Sequence, residues 1–433
     1  MFRRHGTRQA SLLLLGDLIA YTLALWLSLL LRYWAWPSSL VFFAHLYPFS
    51  VVFLIWVIVF FIADLYGRQS SAFDSRLAET VVNAQLAGSF LTIIFFYYVP
   101  FFGITPKITL FLDLFLSLAL IFIWRRYGSR SLRFGRAERY LFHCRGPEVD
   151  ELKRELTRNQ KYQIAVIDYQ NSLGNLKTQS VFTLVLNFYD RQTAAEAAAC
   201  YRLMVAGVQV VSAHRLYEEV FGRIPLSVIS EQWFLEHIEP ESGLIYSLFK
   251  RFMDFAVGLV LALLSLPLYP FIALAIYLAD RGPIFYRENR VGRGGRIFQI
   301  AKFRSMSTET DLSQRKVTAI GRILRKTRLD ELPQLWSVIV GEQSLIGPRP
   351  ERPEYVAVYN DQIPYYQARH LITPGLSGWA QIYQERHPHF RLSLDATREK
   401  LSYDLYYIKN RSLWLDITIA LKTIKTLLSQ VGV

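Results

Sequence analysis

KRFMDFAVGLVLALLSLPLYPFIALAIYLADRG, residues 250–282, decides how this chain is built. Its apolar part, about Phe252 to Ala279, exceeds the roughly 20 residues needed to cross a bilayer. Lys250 and Arg251 precede it, and Arg281, Arg287 and Arg290 follow it. Basic flanks stay on the cytoplasmic side of a membrane, so both ends read as cytoplasmic. Pro267 and Pro270 interrupt the middle, where proline removes backbone hydrogen bonds and bends a helix. The expectation is a re-entrant helix over about 252–279, broken at Pro267, that enters and leaves on one side. A fifth full span would instead export everything after it, and the two basic flanks weigh against that.

Four stretches upstream reach spanning length, at about 11–31, 47–66, 81–102 and 106–124. Their charges alternate. Arg3, Arg4 and Arg8 lie before the first, Arg68 and Arg76 in the second connection, and a run from Arg125 to Arg139 after the fourth. The other two connections hold at most Lys107, so the N-terminus and everything after residue 125 are expected in the cytoplasm. The first stretch is too long for a cleavable signal. Three acids, Asp17, Asp64 and Asp113, sit in these stretches, and a structural role is expected for each, Asp17 by pairing with a neighbouring helix. Residues 1–130 read as a four-helix transmembrane bundle serving as anchor or dimerisation module.

Of the 433 residues, 52% are hydrophobic, and the net charge is +14. Such a charge on a soluble protein would suggest nucleic acid. Here the apolar residues fall in long runs, so the charge is assigned to membrane lipid and an anionic substrate, and no nucleic-acid partner is expected. Cys144 and Cys200 provide neither a disulfide framework nor metal-ligand spacing. A reducing compartment follows.

Residues 139–240 alternate strand-like runs (139–144, 163–169, 182–190, 208–213) with a helix over 193–207. That pattern predicts a small Rossmann-like α/β cytoplasmic domain. The turn after its first strand, His143-Cys144-Arg145-Gly146-Pro147, has one glycine, so dinucleotide binding is not expected. A second amphipathic element, SLWLDITIALKTIKTLLS at 412–429, suits either a membrane interface or a domain core.

After residue 280, Gly, Pro and Arg cluster. RGPIFYRENRVGRGGRIFQIAKFRSM (281–306) sets Lys302 and Arg304 among small and aromatic residues, where the backbone can approach phosphate and arginine can donate twice. GRILRKTRLDELPQLWSVIVGEQSLIGPRPERPEY (321–355) places Arg322, Arg325, Lys326 and Arg328 just before Asp330-Glu331. An ordinary acidic helix cap explains those two acids equally well on local sequence alone. Their neighbours favour chemistry. Adjacent acids on a helix do not face each other, so they can divide labour, one attacking and one holding a divalent cation. A carboxylate attacks an anionic phosphate only with cations at hand, and Arg349 is a further supply. ITPGLSGWAQIY (372–383) is a Pro-Gly turn beside Trp379 that could shape a sugar or base pocket.

In this order the blocks Lys302-Phe303-Arg304-Ser305-Met306, Leu329 to Gln334, Ser344 to Pro350 and Pro374 to Gln381 closely resemble the bacterial sugar transferases, the monotopic phosphoglycosyl transferases. The resemblance covers about 246–433, which implies a mainly α catalytic domain with a re-entrant membrane helix. The four upstream spans and the middle domain resemble the large subgroup of undecaprenyl-phosphate hexose-1-phosphate transferases. The resemblance implies that Asp330 attacks the β-phosphate of a UDP-sugar and releases UMP, and that undecaprenyl phosphate then takes the phosphosugar from the aspartyl intermediate. It implies Mg²⁺ on Glu331 and Asp330, phosphate and substrate contacts from Lys302, Arg304, Arg325, Arg328, Arg349 and Gln381, and a site on the cytoplasmic face of a bacterial inner membrane. The reaction would initiate exopolysaccharide, capsule or O-antigen synthesis. A homodimer is compatible with the subgroup's extra domains. One departure is visible: the family's Ser-Pro helix break is Leu266-Pro267 here, with Ser265 one place earlier. Two other functions compete. A lipid-sugar transporter would need polar residues lining several spans, and a scaffold would leave the Asp-Glu block without a role.

Overall fold

The computed structural model describes residues 2–63, 65–66, 75–98, 107–125, 138–159, 164–169, 171–173, 182–239, 243–308, 316–384 and 393–429. It divides into two compact units, Met1–Tyr140 with Glu155–Val166, and Leu141–Arg154 with Ile167–Val433.

The first unit holds α1 (Phe2–Tyr33), α2 (Ser39–Ile62), α3 (Ser75–Tyr98) and α4 (Lys107–Ile123). Ser11–Tyr33, Ser39–Ile62 and Glu79–Phe96 are long and apolar enough to cross a membrane; Ile108–Ile123 is a shorter apolar helix. The second span starts about two turns before its expected position, because Ser38 caps α2 by accepting the Val41 N–H at 3.4 Å. Tyr21, Phe49, Phe53, Trp56 and Phe60 form an aromatic interior. The outer faces are apolar too, with Leu15, Ile19, Leu54, Phe90 and Phe115 exposed. Helices apolar inside and out belong in lipid, which marks a membrane-anchored protein.

Asp17 has the partner expected of it. Arg125 lies 2.6 Å away, both side chains are at most 1% exposed, and Arg125 Nη1 also donates to the Leu65 carbonyl at 3.0 Å. Arg125 therefore does more than mark the cytoplasmic flank. Asp113 is buried, and Asp64 lies outside the described residues. Removing one member of a buried pair strands the other charge, at a cost of about 3–5 kcal/mol, whereas replacing both is often neutral. Arg125→Leu is thus expected to lower the unfolding temperature of detergent-extracted protein, and the Asp17→Leu/Arg125→Leu double variant to recover most of the loss. A single variant as stable as the wild type would contradict this.

The chain then runs through β1 (Glu138–His143), α5 (Pro147–Arg158) and β2 (Ile164–Asp168), each divided between the two units, and in the second unit through β3 (Thr183–Leu186), α6 (Arg191–Ala195), α7 (Ala197–Val205), β4 (Gln209–Ser212), α8 (Ala213–Phe221) and α9 (Glu231–His237). The sheet order is β2-β1-β3-β4, with β3 and β4 parallel. The helix expected over 193–207 is two helices, broken at Glu196, whose carboxylate accepts the Leu173 N–H at 3.0 Å.

The C-terminal half contains α10 (Leu244–Ser265), a 3₁₀ turn at Leu266–Leu268, α11 (Tyr269–Asp280), the antiparallel pair β5 (Phe285–Val291) and β6 (Ile297–Phe303), α12 (Ala319–Lys326), a 3₁₀ turn at Leu329–Gln334, α13 (Leu335–Val340), β7 (Ser344–Ile346), α14 (Pro353–Gln362), β8 (Gly375–Ser377), α15 (Trp379–Tyr383), α16 (Leu394–Asn410) and α17 (Leu413–Ser429). Leu244–Ala279 is also long and apolar enough to cross a membrane. At Pro267 the α-helical pattern gives way to the 3₁₀ turn, and Pro270 occupies the first turn of α11, where a missing N–H costs nothing. Ser265, displaced by one position, donates its hydroxyl to the Ala262 carbonyl at 2.8 Å inside the break.

One apolar core joins Val291, Ile346, Tyr359, Tyr366, Trp379, Leu401 and Tyr407 with Ile224, Trp233 and Ile238 from before α10. In α17, Asp416 faces inward and accepts from Tyr407 Oη at 2.7 Å and Lys250 Nζ at 3.1 Å. Trp414, Ile417 and Ile424 are exposed. Ile419 is buried in the core, so α17 is apolar on its outer face as well, which suits an interface with lipid.

Candidate active site

The acids sit on a strained turn. Arg328 has φ 57°, a left-handed conformation that costs a non-glycine residue about 1–2 kcal/mol, and the 3₁₀ turn of Asp330 and Glu331 follows immediately. Leu329 and Leu332 pack against the Ile272, Ile276, Phe303 and Leu324 cluster. The reversal aims the two carboxylates into the protein instead of leaving them as solvent-facing caps.

Their environments differ sharply. Asp330 is 8% exposed, and its Oδ1 has no hydrogen-bond partner among the described residues. Burial and the adjacent Glu331 push its pKa up to about 6, against the pull of Lys302, Arg325 and Arg328. Glu331 is also desolvated, but Arg349 pairs with it, Arg328 Nη1 lies at 3.8 Å and Lys302 Nζ at 4.0 Å. These cations outweigh burial and hold Glu331 down at about 2. Above pH 6 both acids are ionised, yet Asp330 is the less stabilised and the more basic.

The other expected residues are distributed around this pair. Lys302 lies between Glu331 and Glu288, whose Oε1 is 3.5 Å away, and burial lowers its pKa. Arg325 Nε donates to Ser305 Oγ at 2.9 Å, and Arg304 is buried with its backbone N–H on the Ile284 carbonyl at 2.9 Å. Gln381 Nε2 and Arg349 Nη1 both donate to the Leu376 carbonyl, at 3.3 and 3.4 Å, so Gln381 lies beside Arg349. That convergence needs glycine. A Cβ on Gly375 would overlap the Gly347 backbone.

A wider ion network went unread in the sequence. Glu288 binds Arg290, Arg352 and Lys302; Glu351 binds Lys400 and Arg369; Arg369 Nη2 reaches Asp404 at 2.8 Å and the Arg349 carbonyl at 2.9 Å. One signal was available. Along β5 the alternate residues Tyr286, Glu288 and Arg290 share a face, as a strand requires, and that face is the more buried. The partners from α16 lie 49 positions from Glu351 and 35 from Arg369 and leave no local trace.

Fold and site together define a membrane-anchored protein with a buried carboxylate, its Oδ1 without a hydrogen-bond partner among the described residues, beside a second, cation-bound one, a set suited to phosphoryl groups. The chain belongs to the bacterial sugar transferase family, which matches residues 245–430. A UDP-glucose:undecaprenyl-phosphate glucose-1-phosphate transferase of Caulobacter vibrioides is 40% identical over 188 residues, 42% of this chain and 70% of that one. A UDP-N-acetylgalactosamine-undecaprenyl-phosphate N-acetylgalactosaminephosphotransferase of Aeromonas hydrophila is 38% identical over 239 residues, 53% of this chain and 55% of that one. A UDP-glucose:undecaprenyl-phosphate glucose-1-phosphate transferase of Xanthomonas campestris is 38% identical over 183 residues, 40% and 37% of the two chains. The chain thus spans about half the length of the Aeromonas relative and just over a third of the Xanthomonas one.

Proposed function

We propose that this protein transfers a sugar-1-phosphate from a UDP-sugar to undecaprenyl phosphate, releasing UMP and forming undecaprenyl-diphosphate-sugar. The observation that carries the reading is Asp330, buried, without a partner for Oδ1, and set among Lys302, Arg325 and Arg328. An Asp330 oxygen would bond to the β-phosphorus as the bridging P–O bond to the α-phosphate breaks, and UMP carries away the electron pair. An oxygen of the lipid phosphate would then attack the same phosphorus, returning the carboxylate to Asp330. Arg349, Lys302 and Arg328 surround Glu331 and would meet the phosphoryl oxygens beside it.

Mg²⁺ fits this donor set. It favours one or two carboxylates together with substrate phosphate oxygens and keeps several waters, and the described residues hold no larger cluster of metal-ligating side chains. Glu331, ionised at any working pH, and the partnerless Oδ1 of Asp330 would hold it. Bound there, the ion would neutralise phosphoryl charge.

The membrane helix is read as re-entrant, and both of its arms support that. Gly258 of α10 lies against Val338, while Ile272 and Ile276 of α11 pack with Phe303 and Leu324 of the same domain. Leu263, Leu264, Leu268 and Phe271, around the break, are exposed. A straight helix would carry residues 254 and 276 roughly 33 Å apart. The site would then sit at the cytoplasmic face of a bacterial inner membrane, where a soluble nucleotide sugar meets a lipid phosphate. In this reading the chain is a bundle (1–130), a Rossmann-like domain (139–240) and a catalytic domain (246–433), although Ile224, Trp233 and Ile238 pack into the same core as the catalytic residues. The β2-β1-β3-β4 order matches a doubly wound sheet and supports the middle assignment.

Membranes carrying the protein, given Mg²⁺, undecaprenyl phosphate and a panel of UDP-sugars, are expected to release UMP with one of them. No release with any UDP-sugar would overturn the proposal. The pH dependence follows from the raised Asp330. UMP release under single-turnover conditions should fall about tenfold per pH unit below about 6, as the nucleophile takes up its proton. A flat profile from pH 5 to 7 would assign the nucleophile elsewhere.

A further inference from the structure

We infer that Arg251 and Asp254, at the start of the membrane helix, are positioning residues that clamp the junction between the two segments carrying the reacting groups. The inference rests on the function proposed above. By sequence Arg251 is a basic flank for lipid headgroups, but its guanidinium is engaged elsewhere. Nη1 donates to the Val338 carbonyl at 2.8 Å and Nη2 to the Ile339 carbonyl at 2.6 Å. Both carbonyls lie in the last turn of α13, the Val338 one also accepting the Gly341 N–H at 3.1 Å, and a cation there meets the negative end of the helix dipole. Gly341, at φ 94°, closes α13, and a Cβ there would lie 3.0–3.2 Å from the Arg251 guanidinium.

One helical turn on, Asp254 is 6% exposed, and its Oδ1 accepts the Leu345 N–H at 2.9 Å. Leu345 opens the path to Gly347-Pro348-Arg349, while α13 begins directly after the turn that holds Asp330 and Glu331. Arg251 therefore holds the end of the acid-bearing segment, and Asp254 the start of the Arg349-bearing one. Gly258 lies against Val338 and completes the contact. The spacing between Asp330 and the Glu331–Arg349 pair is thereby tied to the membrane helix, and small misplacements at a reacting centre cost large factors in rate.

Two pairs of variants of the full-length protein in native membranes separate this role from membrane charge. Arg251→Lys keeps the positive charge but lacks the rigid fork that reaches two carbonyls. It should lower kcat for UMP release about tenfold, with KM for the UDP-sugar unchanged. Asp254→Ala should do the same, and Asp254→Asn, which retains an Oδ1 acceptor, should restore most of it. Amide hydrogen exchange supplies a readout independent of turnover: residues 335–346 should exchange faster in Arg251→Lys and Asp254→Ala than in the wild type or Asp254→Asn. Wild-type exchange and wild-type kcat in Arg251→Lys would overturn the clamp. Absence of UMP release from the wild type itself would defeat the proposed function while exchange still tests the clamp.

Discussion

Asp330→Asn is expected to abolish UMP release and, at pH 8, to raise the temperature at which the protein unfolds. The first effect follows because an amide cannot supply the attacking oxygen, and the neighbouring Glu331 is held by Arg349. The fall should exceed ~10³-fold, leaving only what orientation and charge supply without a nucleophile. The second effect follows from the cost of keeping a carboxylate there. Burial and Glu331 raise the Asp330 pKa from 3.8 to about 6 in the folded chain. The folded state then holds that proton more tightly than the unfolded one. Its advantage is complete below pH 3.8 and is lost as pH rises through about 6. Above that, the ionised group costs up to ~3 kcal/mol, which a neutral amide of the same shape avoids. Paired measurements of UMP release and thermal unfolding at pH 8 test both halves. A variant that keeps even a tenth of wild-type turnover would remove Asp330 from the nucleophile's role.

Arg349→Ala has the second largest expected effect, on activity and stability together. Arg349 is the first of the cations holding Glu331 at about 2, and the two side chains are only 26% and 16% exposed. Without it Glu331 keeps Arg328 at 3.8 Å and Lys302 at 4.0 Å, longer contacts in a desolvated place. A depression from 4.5 to about 2 corresponds to about 3 kcal/mol of stability, present above pH 4.5 and lost as pH falls towards 2. In Arg349→Ala burial dominates and the Glu331 pKa rises instead. The variant should be destabilised most at pH 7 and approach the wild type as the medium is acidified and Glu331 becomes neutral. Turnover should fall by about two orders of magnitude, because a donor beside the phosphoryl oxygens is gone. Chemical denaturation at pH 7 and pH 4.5, together with UMP release, reads both. A stability difference independent of pH would mean that the ion pair is not what Arg349 contributes. Glu331→Gln provides the reciprocal arm, and the double variant measures the coupling between the two.

How much of this was legible beforehand depends on how local the determinant is. Asp330 and Glu331 could be read because the basic run from Arg322 to Arg328 adjoins them in the chain. The break at Pro267 could be read because proline acts on its own backbone. The span of α2 was misjudged by about two turns because Ser38 is an unremarkable polar residue until its side chain finds the Val41 N–H. Lys302, Arg325, Arg328 and Arg349 were expected to hold phosphate; in the structure they first stabilise and tune the two acids. Glu288, Glu351, Arg369 and Asp404 are not legible in the sequence, since Glu288 meets Lys302 of β6 and Arg352, and Glu351 and Arg369 meet Lys400 and Asp404 of α16, at separations no local pattern encodes.

The sequence by itself determined the apolar helices, the proline break and the order of the blocks that place this chain among the bacterial sugar transferases. Those features depend on hydropathy and backbone chemistry, which act over a few residues. Only the tertiary structure decided that Arg251 holds α13 and not a headgroup, and that Asp330 and Glu331, adjacent in the chain, differ by about four units in proton affinity. Electrostatic energies in a desolvated interior change steeply with distances of a few ångströms, and those distances exist only after the chain has folded.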